Sequence, residues 1–379
     1  MVLANTLRAL DRERYDPLVV TGLPAEVAQE VFGGLGVPVI LHRYCADYVQ
    51  YLAFLGKPWF VRSWQRRLAS YGFTLYAAVV NSLPLARLTW RIARLKPCLI
   101  HTHNAIDSML IATLLRIPAV LHLHGPFGEQ SRLEVAMVKR SRKCICVSRG
   151  IADMLIQRGV DSGKLVVMAN PSPLPQCDLA ARDTYRDRFA PAPDEVLVAH
   201  IGRLAPWKGQ KEFLLAFARV ARHLPGIKAL IVGDDIEKLN GAYVEELHSL
   251  IRQEGLSERV FCTGQIKDIH NLVAAVDLVV HSSTEPEPFG LVVTEAMALA
   301  KPVVAANYGA TAEIVEHGRT GLLADPHNAQ ELAAAIARLA ADRSLRLAYG
   351  QAALEKARLE YSLDRYRTQL EAIYDEIDA

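Results

Sequence analysis

Short apolar runs rich in β-branched residues alternate along the chain with longer segments of helical periodicity. In the first half, Pro17–Val20, Val37–Leu41, Pro97–His101, Ala119–His122, Lys143–Val147 and Lys164–Met168 predict strands. In the second half, Glu195–Ile201, Lys228–Val232, Arg259–Cys262, Asp277–His281, Pro302–Ala305 and Gly321–Leu323 do the same. Most of these runs are apolar throughout, the pattern of strands covered by helices on both faces. Strand–helix alternation of this kind predicts an α/β fold of doubly wound parallel sheets and argues against a sandwich or a bundle. After Asp325 the pattern becomes helical. Asn328 and Glu331 have capping-box spacing before an apolar-periodic segment, and further helices are expected up to Ala379.

Prolines gather in a polar stretch, Asn170–Asp194, which contains NPSPLPQ and PAPDE. The expected organisation is therefore an N-terminal domain over 1–174, a linker over 175–194 and a C-terminal domain over 195–360. A last helix, 361–379, is expected to pack back on the N-terminal domain. The length of 379 residues suits two domains with a core each. No internal repeat or low-complexity tract is present.

Charge sharpens this division. The formal net charge is only +2, but residues 1–174 carry 21 Lys and Arg against 11 Asp and Glu, whereas 175–379 carry 22 against 30. The halves have fields of opposite sign and so face different partners. The six cysteines are scattered without a CxxC pair, as suits free thiols in a reducing cytosol. No run of about 18 uncharged apolar residues predicts a spanning helix. The opening MVLANTLRALDRERYDP lacks the basic, apolar and small-residue order of a signal peptide.

The stretch HSSTEPEPFGLVVTEAMALAKPVVA, 281–305, concentrates candidate chemistry. A strand ends at His281, a polar loop follows, and a helix is expected to begin near Phe289. Ligands of parallel sheets bind beyond the carboxyl ends of strands, where this loop lies. The N–H groups of Phe289, Gly290 and Leu291 would form an anion seat, and Gly290 would let a ligand approach the backbone. Glu287 taken singly is equally explained as dipole compensation at a helix start. In HIGRLAPWKGQ, 200–210, Arg203 and Lys208 follow another strand end. Together they could clamp a diphosphate, while either alone reads as a solvated base.

GRLAPWKG followed about 80 residues later by EPFGLVVTEAMALAKPVVA resembles the retaining glycosyltransferases of family 4, the group 1 transferases of GT-B fold. The resemblance continues through GATAEIVEHGRTGLLADP at 309–326 and reaches back to IHTHNA at 100–105, LHLHG at 121–125 and CVSRGIADML at 146–155. It implies two Rossmann-like domains facing a cleft. It also implies that Arg203 and Lys208 neutralise the diphosphate of a nucleotide-sugar with help from the N–H groups at 289–291. Glu295 would hold the ribose, and the catalytic residues would be Glu287, in contact with the donor sugar, and His124, which lines the cleft from the other domain near the donor sugar and acceptor. Two side chains and a helix end meet the phosphate charge, so no divalent metal is expected at the donor and no cofactor beyond the donor itself. Asp234 and Asp235 are not expected to bind one. His101, His103 and His122 are not expected to form a metal cluster, because successive strand residues point to opposite faces.

The implied reaction moves a sugar from a nucleotide-sugar, a UDP-sugar by family frequency, to a hydroxyl of a glycan or lipid-linked acceptor. Configuration is retained by a front-face path in which the leaving phosphate helps to deprotonate the acceptor. Assembly of a cell-envelope polysaccharide or lipopolysaccharide would be its setting. Two other readings remain open: a nucleotide-sugar 2-epimerase of the same architecture, and a non-catalytic relative. The last follows from a departure at the start of the chain, where the family's first strand and Gly-Gly loop are not found. A central strand is therefore expected to be missing from the N-terminal sheet. A second departure is Asn170-Pro171 in place of Asn-Gly, so that loop is expected to differ.

From Tyr48 to Ile106 no acidic residue occurs, and eight bases from Lys57 to Lys96 are interleaved with aromatic residues such as Trp59, Trp64 and Trp90. This stretch suits an anionic membrane surface, a cleft for an anionic acceptor, or simply a solvated face over core aromatics. The expected location is cytoplasmic, peripheral on the inner face of the membrane. Nucleic acid is not an expected partner, since no reader motif is present.

Overall fold

The computed structural model describes residues 2–42, 81–125, 132–190, 192, 194–236 and 238–378. Most of the basic stretch, 57–80, lies outside the described residues. Its end is a helix over 81–95 followed by Lys96, and Arg94 lies 4.8 Å from the ring of exposed Trp90.

The N-terminal half holds α1 (Val2–Ala9), β1 (Val19–Thr21), α2 (Ala25–Phe32), β2 (Val39–Leu41), α3 (81–95), β3 (Ile100–His103) and α4 (Ile106–Leu115). It continues through β4 (Ala119–Leu123), α5 (Arg132–Arg140), β5 (Lys143–Cys146), α6 (Arg149–Gln157) and β6 (Leu165–Val167). The strands form two separate parallel sheets, β1–β2 and β3–β4–β5–β6. In the second sheet β4 and β5 are almost wholly apolar and buried, as a strand sandwiched between helix layers must be.

The stretch 175–194, expected as a linker, contains a helix, α7 (Leu179–Phe189). Asp178 starts it by accepting hydrogen bonds from the N–H groups of Ala180 and Ala181, so a local cap overrides the proline-rich flanks.

The C-terminal half is one six-stranded parallel sheet ordered β12–β11–β10–β7–β8–β9. Its elements are β7 (Val196–Ile201), α8 (Gln210–Ala221), β8 (Ile227–Val232), α9 (Gly241–Gln253), β9 (Val260–Gly264), α10 (Ile269–Ala275) and β10 (Leu278–His281). Then follow α11 (Leu291–Ala298), β11 (Val303–Ala306), α12 (Ala310–Ile314), β12 (Gly321–Ala324), α13 (Ala329–Ala341), α14 (Arg343–Glu360) and α15 (Leu363–Asp378). Asn328 caps α13 through the N–H groups of Gln330 and Glu331, while the Glu331 carboxylate turns back to the N–H of Asp325. The strand order reverses between β7 and β10, so the loops that leave these two neighbours open a crevice at the carboxyl end of the sheet.

The helix α15 lies against the N-terminal half. Its Tyr366 hydroxyl meets Thr6 Oγ1 at 2.8 Å, Asp375 pairs with Arg14 at 2.7 Å, and Glu376 pairs with Lys143 at 2.6 Å. The halves also touch beside the crevice. Ser172 Oγ and Thr294 Oγ1 share a buried hydrogen bond of 2.6 Å. The Glu313 carboxylate accepts the N–H groups of Arg149 and Gly150, at 3.0 and 3.1 Å, which places negative charge on the positive end of α6.

Candidate nucleotide-sugar site

The loops after β7 and β10 interlock through a backbone contact that requires glycine. Gly209, with φ 74°, closes the turn Pro206–Lys208, and a Cβ there would stand 1.8 Å from the carbonyl oxygen of Ser282. Ser282 Oγ donates to the Gly209 carbonyl at 2.8 Å, and His200 Nε2 bridges Ser282 Oγ and the Lys208 carbonyl at 3.1 and 3.2 Å. His200 is fully buried, and burial, with smaller contributions from the neighbouring His281 and Lys208, lowers its pKa to about 3. It therefore stays neutral, with Nε2–H donating to the Lys208 carbonyl and Ser282 Oγ.

Lys208 Nζ lies 2.6 Å from Glu287 Oε2, with both side chains largely enclosed. The same oxygen receives His281 Nε2 and Ser283 Oγ, each at 3.3 Å. Burial pushes the Glu287 carboxyl up, but the hydrogen bond from His281 and the charge of Lys208 outweigh it and bring the pKa down to about 2. The carboxylate is ionised throughout the neutral range and fixed from three sides. A fourth support is main chain. The Ala310 N–H donates to the Glu287 carbonyl at 3.1 Å, and Gly309, with φ 66°, leaves only 2.9 Å between a would-be Cβ and the Glu287 nitrogen.

The helix begins two residues later than expected, at Leu291, because Gly290 with φ 89° turns the chain into it. No side chain caps that end, which leaves the N–H groups of Leu291 and Val292 without a hydrogen-bond partner among the described residues, whereas that of Val293 donates to the Gly290 carbonyl. Phe289 contributes only main chain, since its ring is buried 6.1 Å from that of Tyr361. Glu295 lies on α11, half-buried, with no hydrogen bond or ion pair among the described residues. Burial alone raises its carboxyl to about 7. Arg203 is exposed just past β7, and its carbonyl accepts Gln210 Nε2 at 2.8 Å. The crevice thus brings Lys208 and Glu287 together beside Gly290 at the start of α11, with Arg203 on the loop after β7 and Glu295 further along α11.

The N-terminal half approaches the same loop. A Cβ on Gly125 would be 3.9 Å from Pro288 Cγ, and His124 is the residue before it. The His124 N–H donates to Asn104 Oδ1 at 2.9 Å, and its Nε2 lies 2.7 Å from His103 Nδ1. Burial lowers its pKa to about 4, with the Asn170 side chain pulling weakly the other way.

Asp234 and Asp235 are turn caps: the Asp235 carboxylate takes the N–H groups of Leu239 and Asn240, and Asp234 takes that of Asp235. Contrary to expectation, the histidines of β3 and β4 do gather on one face. His101 and His103 are two apart on β3 and so share a face, and the register pairs His103 with His122 on β4. The ring nitrogens of His101, His103 and His122 all lie within 4.8 Å of one another. Residues that sequence reasoning missed are His200, His281, Ser282, Ser283 and Gly309. His200, Ser282 and Gly309 act on partners remote in the chain, whereas His281 and Ser283 lie six and four residues before Glu287 and carried only a loop pattern.

The chain matches the family model described as glycosyl transferases group 1 over residues 181–356, and that described as Glycosyltransferase Family 4 over 1–172. It is 32% identical over 200 residues to the alpha-D-kanosaminyltransferase of Streptomyces kanamyceticus, covering 52% of this chain and 50% of that protein. Over 201 residues it is 30% identical to a GDP-mannose-dependent alpha-(1-6)-phosphatidylinositol monomannoside mannosyltransferase of Mycobacterium tuberculosis, covering 51% of this chain and 50% of that protein. The chain thus spans about half the length of these curated relatives. The crystal structure of Anabaena Alr3699/HepE in complex with UDP superposes with a TM-score of 0.79 at 26% identity, over 98% of this chain and 96% of that one. The fold of two parallel-sheet halves and the paired family matches lead to one conclusion: the chain belongs to the group 1 glycosyltransferases of GT-B architecture.

Proposed function

We propose that the chain transfers a sugar from a nucleotide-sugar, UDP-linked in preference to other nucleotides, to a hydroxyl of a glycan or lipid-linked acceptor with retention of configuration. One observation carries this reading: a fixed, ionised Glu287, with Lys208 Nζ 2.6 Å away, stands beside the uncapped start of α11, in the crevice between β7 and β10. An uncapped helix start and two cations suit a diphosphate, and a carboxylate beside them suits the hydroxyls of the attached sugar. Arg203 and Lys208 take the diphosphate charge with the N–H groups of the Gly290–Leu291 turn, so the leaving group needs no divalent ion there. Lys208 releases Glu287 to the sugar as it turns to the phosphate. Glu295, held near neutrality by burial, gains the ribose hydroxyls as partners it otherwise lacks. His124 borders the sugar from the N-terminal side. The HepE structures bound to UDP and to UDP-glucose support the choice of donor. The basic stretch through 96 supports an anionic acceptor or a membrane-surface setting, on the inner face of a cell envelope.

A thermal-shift panel of UDP-, GDP- and ADP-sugars tests the donor assignment. A ligand at 100 times its Kd adds about 2.7 kcal/mol of stability. The UDP-sugar is expected to raise Tm most, and Arg203→Ala and Glu295→Ala are expected to abolish most of that rise. An unchanged UDP-sugar shift in both variants would place the donor elsewhere.

A further inference from the structure

The histidine face of the N-terminal sheet is not used by the donor reading except at its edge. His101 and His103 stand on β3, His122 on β4 and His124 just past it. Their rings are 4.6 Å apart for His101–His103, 4.9 Å for His103–His122 and 4.2 Å for His122–His124. Buried ring nitrogens without hydrogen-bond partners are Nε2 of His101, Nε2 of His103, both nitrogens of His122 and Nδ1 of His124. A single unsatisfied buried nitrogen calls for a reason, and a cluster of them on one face calls for a shared one.

The nitrogens that do have partners supply it. His101 Nδ1 meets the Tyr374 hydroxyl of α15 at 2.6 Å, and His103 Nδ1 meets His124 Nε2 at 2.7 Å. Both rings are thus held on their Nδ1 side, which leaves the buried Nε2 of each as the nitrogen without a partner. Histidines that bind metals are oriented in this way: one nitrogen is fixed by an outer group, and the lone pair of the other is aimed at the ion.

We propose that His101, His103 and His122 bind one divalent transition-metal ion of the zinc class, with Tyr374 and His124 as outer supports. Imidazole donors suit zinc, cobalt, nickel or copper and not magnesium or calcium. The three donor atoms lie within 4.8 Å of one another. Bonds of about 2.0–2.1 Å in a tetrahedral arrangement would draw them to about 3.3 Å, within reach of side-chain rotation. Three neutral ligands leave the fourth position open to water or an anion. This assignment does not depend on the donor reading: its three ligands take no part there, and only His124, an outer support, borders both.

The test uses the full chain, stripped with a chelator and titrated with Co2+ and then Zn2+. The expected result is one equivalent of Co2+ with the intense visible band of tetrahedral cobalt, displaced by one equivalent of Zn2+. His103→Gln and His122→Gln should each weaken binding at least about 100-fold, and Tyr374→Phe, which removes only an outer hydrogen bond, about 10-fold. Circular dichroism checks that each variant is folded, and the wild-type stoichiometry together with Tyr374→Phe decides the matter if the histidine variants do not fold. His248→Gln, on α9 far along the chain, should bind as wild type does. Absence of a tetrahedral band in the wild type, or undiminished binding in His122→Gln, would overturn the site and leave the face as packed imidazoles only.

Discussion

Glu287 and His122 are both ionisable and both enclosed, yet only the first is answered by its surroundings. Around Glu287, a lysine, a histidine and a serine converge on one carboxylate oxygen. Around His122, three further imidazoles gather, one stacked and two tilted, and neither of its own ring nitrogens finds a partner. In the crevice the protein has matched charge with charge, so the pocket is formed before any ligand arrives. On the histidine face it has collected lone pairs without a donor or counter-charge, which is costly unless something else fills the gap. The same kind of substitution, a polar side chain replaced by an apolar one, should therefore have opposite effects in the two regions.

The largest effect is expected where the two crevice loops lock. Gly209→Ala puts a methyl group against the Ser282 carbonyl oxygen in a left-handed backbone, and should cost more than about 4 kcal/mol in denaturant unfolding. Stability within about 1 kcal/mol of wild type would show that the interlock is not rigid.

Next comes Glu295, whose carboxyl is raised to about 7 by burial. The folded chain holds this proton after the unfolded chain has released it, so stability falls as pH rises from the ordinary carboxyl range through about 7. The loss amounts to ~3 kcal/mol and is fully present above that pH. Glu295→Gln should remove the fall, gaining most at pH 8 and nothing near pH 4. Parallel stability profiles for the two proteins would mean that Glu295 is solvated.

Lys208→Met leaves the Glu287 carboxylate with only His281 and Ser283, and should lower stability by about 2 kcal/mol, less than a fully buried pair because both ends keep some water. His122→Leu, by contrast, should raise the stability of the metal-free chain by about 1 kcal/mol, since it exchanges two orphaned nitrogens for a well-packed apolar group. Chemical melts in chelator check both signs. Equal signs would erase the distinction between the regions.

Much of the fold is legible in the chain because a strand covered on both faces leaves a continuous apolar run. All twelve such runs overlap a strand, and the errors are at their ends. The run at Pro97–His101 is in fact β3, Ile100–His103, since polar Thr102 and His103 break the apolar pattern but still pair with β4. The run at Arg259–Cys262 extends to Gly264, because a register irregularity beside Ile231 and Val232 lets polar residues continue the ladder. The motif residues Arg203, Lys208, Glu287 and Gly290 were visible as loop chemistry at strand ends. The Lys208–Glu287 pair was not, because 79 residues separate its members and only sheet order brings them together. The histidine face was missed for a simpler reason. Alternation was applied to neighbours, whereas the histidines are spaced by two and share a side.

The most direct measurement is calorimetric titration of the preferred nucleotide-sugar into the wild-type chain and into Arg203→Ala. The account predicts one molecule per chain and an affinity at least about tenfold weaker in the variant, ~1.4 kcal/mol. Equal affinity in both proteins, or no binding by the wild type, would contradict a donor site between β7 and β10.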